Sequence, residues 1–469
     1  MGLEGLFTKD NKHPLNQSGF EEWIQLPSDI SAREDVINKI GSVELGTIVD
    51  YVAPVYQYSE AGRVSYMAVL PNTLLISYLD KDPDKASQLE KEILSRYQLS
   101  TNKEKSALLR LIGYKLYETP ANHSALEIGQ ALINDYPKRI EVEYEIKPQS
   151  CMLGDEQPPD QKYAAKDFGW HIGQIKAIGA WQIIPSDLVN SPIAVLDTGC
   201  CNPILNLLPG ISLGTLEPSG EPIDICGKKI HGTQCAIIAA GKKYAAERTT
   251  GIAAGFPVIP VAFRKVTDLE VTLGILHAAK TGARVINMSF GQGANDGTVL
   301  WNKHLINKAI QHAYSKHRVF LCAAAGNSGQ AIMAFPASHP LVVAVGATHR
   351  QDKRLDISNY GGHAQNGISV VAPGKGINAL NTCAYPDENR PLTGTSASSA
   401  LVAGLAALIL AINPDFTPGE VRDFIEVNAE KVRPDVYNYN QKNSNGLWNA
   451  EVGYGRIDVF QTIKSVLEK

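Results

Sequence analysis

The sequence has no strong excess of charge of either sign. Among 469 residues, 44 are Lys or Arg and 48 are Asp or Glu, so the formal net charge is −4. A surface that binds nucleic acid or an anionic membrane usually carries a clear excess of basic residues. The composition therefore predicts neither a nucleic-acid partner nor a membrane partner.

Apolar runs long enough to cross a bilayer are also missing. Residues 400–412 form 13 consecutive apolar or glycine positions, whereas a membrane span needs about 20 residues. The first six residues have neither the basic start nor the apolar core of a signal peptide, and Leu6 does not fit the myristoylation pattern. The 400–412 run instead predicts a helix that is buried on all sides.

Cysteine is present in an odd number that does not suit a full disulfide framework. There are seven cysteines, and Cys200 and Cys201 are adjacent. This pattern predicts no complete set of disulfides, and we therefore expect a reduced, cytoplasmic protein. No internal repeat or low-complexity tract is visible.

The first third of the chain alternates short strand-like and helix-like segments. This alternation predicts a small α+β domain over residues 45–147. It follows an N-terminal extension (1–44) and precedes a polar linker (148–166) that contains Pro158 and Pro159. The segments are a strand at Thr73–Tyr78, a helix at Lys85–Tyr97, a strand within Leu108–Glu118, a helix at Ser124–Asp135 and a strand at Arg139–Ile146.

Residues 167–469 have a different character, with uninterrupted apolar strands followed by amphipathic helices. Such strands are typical of a sheet that is covered on both faces. We therefore predict an α/β domain with a mainly parallel sheet and helices on both faces. The predicted strands are Ile193–Leu196, Val258–Phe263, Val285–Met288, Val319–Ala323, Leu341–Val345 and Ser369–Ala372.

Three polar residues stand where these elements begin or end. Asp197 follows a buried strand, His231 opens an apolar helical segment, and Ser396 lies at the start of the buried helix. Each has a simple structural interpretation, such as a helix cap for Ser396. Together they supply the carboxylate, imidazole and hydroxyl of a nucleophilic triad. Their order along the chain, Asp, His, Ser, is that of subtilisin.

Residues 165–465 resemble the catalytic domain of subtilisin-like serine proteases. The resemblance is carried by the motifs VLDTG (195–199), HGT (231–233), VINMSFG (285–291), AAGN (324–327) and GTS (394–396). It implies that Asp197 orients the imidazole, His231 is the general base and Ser396 is the nucleophile. It also implies that the side chain of Asn327 donates a hydrogen bond to the oxyanion.

The resemblance further implies a polypeptide substrate held in an extended form. Two segments would contact it, Ser289, Phe290 and Gly291 on an edge strand, and Ala324, Ala325 and Gly326 on a wall of the specificity pocket. No cofactor is expected. Many relatives bind calcium in a loop that is replaced here by residues 241–244, where Lys242 and Lys243 cannot ligate the ion, so no metal is expected.

The leading hypothesis is an intracellular serine endopeptidase that works through an acyl-enzyme. Residues 45–147 resemble the propeptide of the family and would act as an intramolecular inhibitor; the alternative is an unrelated regulatory domain. Two other functions stay open. A peptide ligase or macrocyclase would pass the same acyl-enzyme to an amine, and a catalytically silent relative would bind peptides as a scaffold.

Overall fold

The computed structural model describes residues 55–60, 63–120, 123–147, 169–201, 204–213, 231–242, 250–263, 266–292, 303–362, 367–379 and 391–469. The chain divides into two compact units. The first takes in residues 1–150 with 266–273 and 295–306, and the second takes in the remainder. The predicted N-terminal extension (1–44) and linker (148–166) lie outside the described residues, and the predicted domain boundaries stay predictions.

The N-terminal part of the first unit is a five-stranded antiparallel sheet with three helices. The strand order is β1-β2-β4-β3, and β5 also pairs with β2. The elements are β1 (Val55–Glu60), β2 (Arg63–Tyr78), α1 (Pro83–Tyr97), β3 (Ser100–Thr101), α2 (Lys103–Leu109), a 3₁₀ turn (Arg110–Ile112), β4 (Lys115–Glu118), α3 (Ala125–Asp135) and β5 (Ile140–Lys147).

Local signals explain where these helices begin. The Asp82 side chain accepts hydrogen bonds from the first backbone N–H groups of α1, and Ser124 does the same for α3, as N-cap residues do. The apolar faces of α1 and α3 pack with β2 in one core that includes Leu74, Ile93 and Leu132. The α+β character predicted for this region is observed. The short helix α2 was not predicted.

The remaining elements contain the larger sheet. They are α4 (Trp170–Gln174), α5 (Ala177–Ile183), β6 (Ile193–Asp197), β7 (Asn206–Leu207), β8 (Ile211–Ser212), α6 (His231–Ala240), β9 (Pro257–Ala262), α7 (Asp268–Lys280), β10 (Val285–Met288), α8 (Lys303–His317), β11 (Phe320–Ala324), β12 (Val343–Thr348), β13 (Val370–Pro373), α9 (Thr395–Ile412), α10 (Pro418–Val427), β14 (Gln441–Asn443), β15 (Gly446–Trp448) and α11 (Val459–Leu467). The first unit includes the starts of α7 and α8.

The larger sheet is entirely parallel. Its order is β13-β12-β11-β10-β6-β9-β7, and β8 also pairs with β9. The strands β6, β9, β10, β11, β12 and β13 are buried at every position, as expected for a parallel sheet covered by helices. The predicted fold class is confirmed.

The order of the strands reverses at β6. After β6 the chain adds β7, β8 and β9 on one side, and it then returns to add β10 on the other side. In open parallel sheets, the crevice at such a reversal, at the carboxyl ends of the strands, is where ligands bind. Asp197 is the last residue of β6 and therefore lies at this crevice.

Helix α9 is the central helix of this unit. It packs against α6 and against strands β10 to β13, and nearly all of its residues are buried. By length and composition alone this 18-residue helix could cross a membrane, but 94% of it is buried inside the fold. It is the buried core helix that the apolar run predicted, and it begins at Thr395, before that run.

Candidate active site

A backbone approach places His231 beside Asp197. The Thr198 hydroxyl accepts a hydrogen bond from Gly232 N at 3.0 Å. A Cβ added to Gly232 would lie 2.2 Å from Gly199 O, so only glycine allows the start of α6 to come this close to the loop after β6. The sequence His-Gly at the start of α6 thereby brings the imidazole to the fully buried Asp197.

The Asp197 carboxylate and the His231 imidazole form a buried pair. His231 Nδ1 lies 2.9 Å from both carboxylate oxygens. A carboxylate can only accept hydrogen bonds, so Nδ1 carries the proton and donates it. In the neutral ring Nε2 is then unprotonated, and it has no hydrogen-bond partner in the described part of the chain.

Two opposing effects act on the pKa of His231. Burial disfavours the imidazolium and lowers the pKa, but the electrostatic and hydrogen-bond interactions of the ring with Asp197 and Cys235 outweigh burial. The pKa of His231 is therefore held well above its ordinary value of 6.5. The same carboxylate that orients the ring also stabilises its cation.

Ser396 is the second residue of α9, where backbone N–H groups are not used by the helix itself. The residue before the helix, Gly394, has φ +136°, a conformation that favours glycine. Ser396 Oγ donates a hydrogen bond to Ser289 O at 3.1 Å. The hydroxyl therefore faces the end of β10 and is not bonded to His231 Nε2.

A series of hydrogen bonds between buried polar residues holds Ser396 in this position. Ser289 Oγ donates to Ser396 O at 3.1 Å. Asn287 Nδ2 donates to Ser289 Oγ at 2.8 Å, and Ser399 Oγ donates to Asn287 Oδ1 at 2.7 Å. All four residues are buried, so the first turn of α9 is fixed to the end of β10.

Asn327 is oriented by the residue that precedes Ser396. Its Oδ1 accepts hydrogen bonds from Thr395 N and from Thr395 Oγ1, both at 2.9 Å. Because the oxygen faces Thr395, the nitrogen Nδ2 is on the other side of the amide, and a Cβ added to Gly394 would lie 2.9 Å from it. A hydrogen-bond donor of the Asn327 side chain thus lies close to the backbone before Ser396.

The Subtilase family model matches residues 190–455, which is more than half of the chain. The chain belongs to the subtilase family. It is 31% identical over 299 residues to the cell wall-associated protease of Bacillus subtilis (strain 168), a match that covers 58% of this chain and 31% of that longer protein. It is 28% identical to the thermophilic serine proteinase of Bacillus sp. (strain AK1), covering 76% of this chain and 86% of that protein.

Solved structures share the subtilase fold. The epidermin leader peptide processing serine protease EpiP of Staphylococcus aureus matches with a TM-score of 0.60 and 20% identity, over 85% of this chain and 99% of that one. MycP1 with its N-terminal propeptide removed matches with a TM-score of 0.51 and 24% identity, over 63% and 98%. Its membership of the family, and not these structures, makes the subtilase a subtilisin-like serine endopeptidase, which does not favour the scaffold hypothesis.

The two segments predicted to bind substrate lie on neighbouring strands of the subtilase. Ser289, Phe290 and Gly291 (the first wall) directly follow β10, while Ala324, Ala325 and Gly326 (the second wall) end and follow β11, which pairs with β10. The Phe290 side chain is 1% exposed and packs edge-on against Phe263 at 5.2 Å. Any contact of this residue with substrate is therefore a backbone contact.

The thiols around the site differ from the prediction at one position. Cys200, Cys235 and Cys322 remain thiols, but Cys201 is disulfide-bonded. The expectation of a fully reduced chain is wrong for Cys201, because an odd number of cysteines does not stop two of them from pairing. Cytoplasmic localisation stays a prediction.

Within the described ranges, one set of three side chains could share a metal ion. The ligand atoms of Asp197, His231 and Cys235 lie within 4.8 Å of one another. The imidazole Nδ1 in this set is already bonded to Asp197. In the loop expected to lack calcium, Gly241 and Lys242 are described, and the rest of that prediction falls outside the described residues.

Several supporting residues received no role from the sequence. Thr198 holds Gly232, Thr395 orients Asn327, and Asn287 and Ser399 support Ser289. Each is a hydroxyl or amide, and all but Ser399 lie beside a predicted site residue or within one of the motifs. That proximity was an available signal, although it does not indicate which group each one contacts.

Proposed function

We propose that this subtilase hydrolyses peptide bonds through an acyl-enzyme on Ser396. His231 Nε2 takes the proton of Ser396 Oγ as Oγ attacks the substrate carbonyl carbon. The tetrahedral intermediate collapses when the imidazolium gives that proton to the leaving amine, which breaks the C–N bond and leaves an ester. Water, activated by the same Nε2, then attacks the ester and restores the hydroxyl.

This mechanism requires Ser396 Oγ to leave Ser289 O. Rotation about the Cα–Cβ bond of Ser396 would turn the hydroxyl toward Nε2. An extended substrate that pairs with the first wall by strand addition would offer its own N–H groups to backbone acceptors there, and Ser289 O is one of them. Substrate binding and release of the hydroxyl are then linked.

Negative charge that forms on the attacked oxygen needs donors that are already in place. We assign this role to the backbone N–H of Ser396, at the N-terminus of α9, and to Asn327 Nδ2. Two facts support the assignment: the helix dipole favours negative charge at this end, and Thr395 fixes the direction of the Asn327 amide.

The observation that carries the proposal is the buried Asp197–His231 pair, whose Nε2 has no hydrogen-bond partner among the described residues, together with a hydroxyl at the start of α9. A fluorophosphonate probe tests it, since such probes react with activated serines. Mass spectrometry of the labelled peptide should place the probe on Ser396. Ser396→Ala should remove labelling and activity, whereas Ser398→Ala should keep both, because the Ser398 hydroxyl is bonded to backbone carbonyls of 372 and 373.

The three residues should behave as one unit. Ser396→Ala and His231→Ala should each reduce kcat by several orders of magnitude, and the double variant should be little worse than either. Additive losses would contradict the shared mechanism. Product mass spectrometry in the presence of an added amine would separate hydrolysis from ligation, since a ligase joins the amine to the acyl group.

We further propose that residues 45–147 act as a cleavable inhibitor. Expressed wild type should separate into fragments of about 16–18 and 33–35 kDa, at about 0.11 kDa per residue, by a cut in the linker at 149–166. Ser396→Ala should stay intact at 50.8 kDa. The isolated N-terminal fragment should inhibit the larger one. An uncut wild type with full activity would instead make this region a permanent regulatory domain.

A further inference from the structure

A third segment, Ala334 and Phe335, joins the two walls beside Ser396. Gln292, which follows the first wall, exchanges two backbone hydrogen bonds with Phe335, at 2.8 and 2.9 Å. Ala334 N donates to Ala325 O of the second wall at 2.9 Å. Ala334 is therefore fixed between the walls and forms a floor where they approach each other.

The floor is a single methyl group that faces two glycines. A Cβ added to Gly291 would lie 2.8 Å from Ala334 Cβ, and a Cβ added to Gly326 would lie 3.2 Å from it. Both walls therefore present bare backbone toward this buried methyl. A substrate side chain that enters between the walls meets two glycines and this methyl.

A buried amide lies against the second wall on the same side. Asn359 N donates to Gly326 O at 2.9 Å, and a Cβ on Gly326 would lie 2.4 Å from Asn359 Nδ2. The Asn359 side chain is completely buried. Its Nδ2 has no hydrogen-bond partner among the residues that the structure describes.

The direction of this amide is determined by its oxygen. Asn359 Oδ1 accepts hydrogen bonds from Ser328 N at 3.0 Å, Ser328 Oγ at 2.9 Å and Gln330 N at 3.1 Å. Backbone N–H groups can only donate, so the atom that faces them must be the oxygen. The NH₂ group is consequently on the opposite side, toward Gly326 and the floor.

A buried donor without an acceptor favours any ligand that supplies one, and a site built to hydrogen-bond a substrate rejects the analogue that lacks the group. We infer that Asn359, against Gly326 of the second wall, selects substrates whose P1 side chain ends in a carbonyl oxygen. P1 is the residue whose carbonyl Ser396 attacks, so this inference rests on the proposed function and specifies its substrate class.

The test compares peptides that differ only at P1. Asn and Leu are similar in size, as are Gln and Met, and only the first of each pair carries the oxygen. We expect kcat/KM for the Asn or Gln peptide to exceed that of its apolar partner at least about tenfold. Comparison of Asp and Glu peptides with Asn and Gln peptides shows whether the preferred acceptor is a carboxylate or an amide.

The two proposals fail in different ways. Cleavage of Leu and Met peptides as fast as Asn and Gln peptides would overturn the selectivity, while it would uphold the peptidase. Failure of the probe to label Ser396 would overturn the peptidase itself. Equal cleavage of the two kinds of peptide is the result expected if Nδ2 faces water or empty space and not the substrate side chain.

Variants locate the effect on the amide. Asn359→Asp keeps an oxygen for the three donors and removes the NH₂ group, so the Asn-to-Leu ratio should fall toward one. Gln330→Ala is the matched control, because Gln330 contacts Asn359 through its backbone N–H, and its ratio should equal that of wild type. An undiminished ratio in folded Asn359→Asp would overturn the assignment. If circular dichroism shows that Asn359→Asp does not fold, the wild-type ratios decide alone.

Discussion

Ser289 and Ser396 are joined by two reciprocal hydrogen bonds, in which the hydroxyl of each residue donates to the carbonyl oxygen of the other at 3.1 Å. One bond fixes the first turn of α9, and the other holds the hydroxyl that we propose as the nucleophile. Ser289 therefore has two roles: it belongs to the first wall, and it holds the hydroxyl of Ser396 in place. Hydrogen bonds of a catalytic group often form fully only once substrate is bound.

Asn327→Ala should lower kcat and leave KM nearly unchanged. The proposed contact of Asn327 Nδ2 forms only with the oxyanion, and interactions present only in the transition state affect kcat. We borrow the size of the loss, about 10²–10³, from the equivalent donor of subtilisin itself. Thr395→Val, which keeps the backbone bond to Asn327, should show a smaller loss of the same kind. Steady-state kinetics check both, and an effect on KM alone would remove Asn327 from this role.

Activity should rise with pH above 6.5. His231 acts as a base only when neutral, and Asp197 and Cys235 hold its pKa well above 6.5 despite the opposing effect of burial. The imidazolium, which is inactive, therefore persists above the ordinary range, and the acid limb of the kcat/KM profile should lie above pH 6.5. Cys235→Ala removes one of the two groups that raise the pKa of His231 and should move that limb to lower pH. A limb at or below 6.5 in wild type would contradict the prediction.

Mercurials should inhibit through Cys235. Its sulfur lies 3.9 Å from Nδ1 of His231, the residue that begins α6. A bulky adduct on the sulfur would therefore displace the imidazole. Burial raises the pKa of the Cys322 thiol to about 12, which makes that thiol unreactive. Activity after treatment with p-hydroxymercuribenzoate is the measurement. Cys235→Ala should resist, whereas Cys200→Ala should remain sensitive; resistance in Cys200→Ala alone would assign the effect to Cys200.

His171 should make the fold sensitive to acid. Burial lowers its pKa from 6.5 to about 4. Between pH 6.5 and pH 4, His171 is therefore protonated in the unfolded chain and neutral in the folded chain. Stability therefore falls as pH decreases from 6.5 to 4, by about 3 kcal/mol at the full extent for this one group. His171→Asn cannot titrate and should lack this loss. Urea unfolding of both proteins at pH 7.5, 5.5 and 4 checks it, and a constant difference between them would contradict it.

The main elements of the fold were predictable because their signals are local. Uninterrupted apolar runs marked β6, β10 and α9, and period-four spacing marked α1. The hairpin of β14 and β15 was not predicted, since its residues are largely polar and partly exposed and show no alternation. Helix α2, at seven residues, is too short for helical periodicity to be distinctive.

The sequence by itself determined which groups stand at the element ends: a carboxylate after β6, an imidazole at the start of α6 and a hydroxyl at the start of α9. Only the tertiary structure decided what those groups contact. Asp197 and His231 are 34 residues apart, Ser289 and Ser396 are 107 apart, and Asn327 and Thr395 are 68 apart. Periodicity reports on neighbours within a few turns, whereas these contacts exist because parallel strands bring their carboxyl ends to one edge of the sheet. The contact between the Asn359 amide and Gly326 likewise forms at this edge of the sheet.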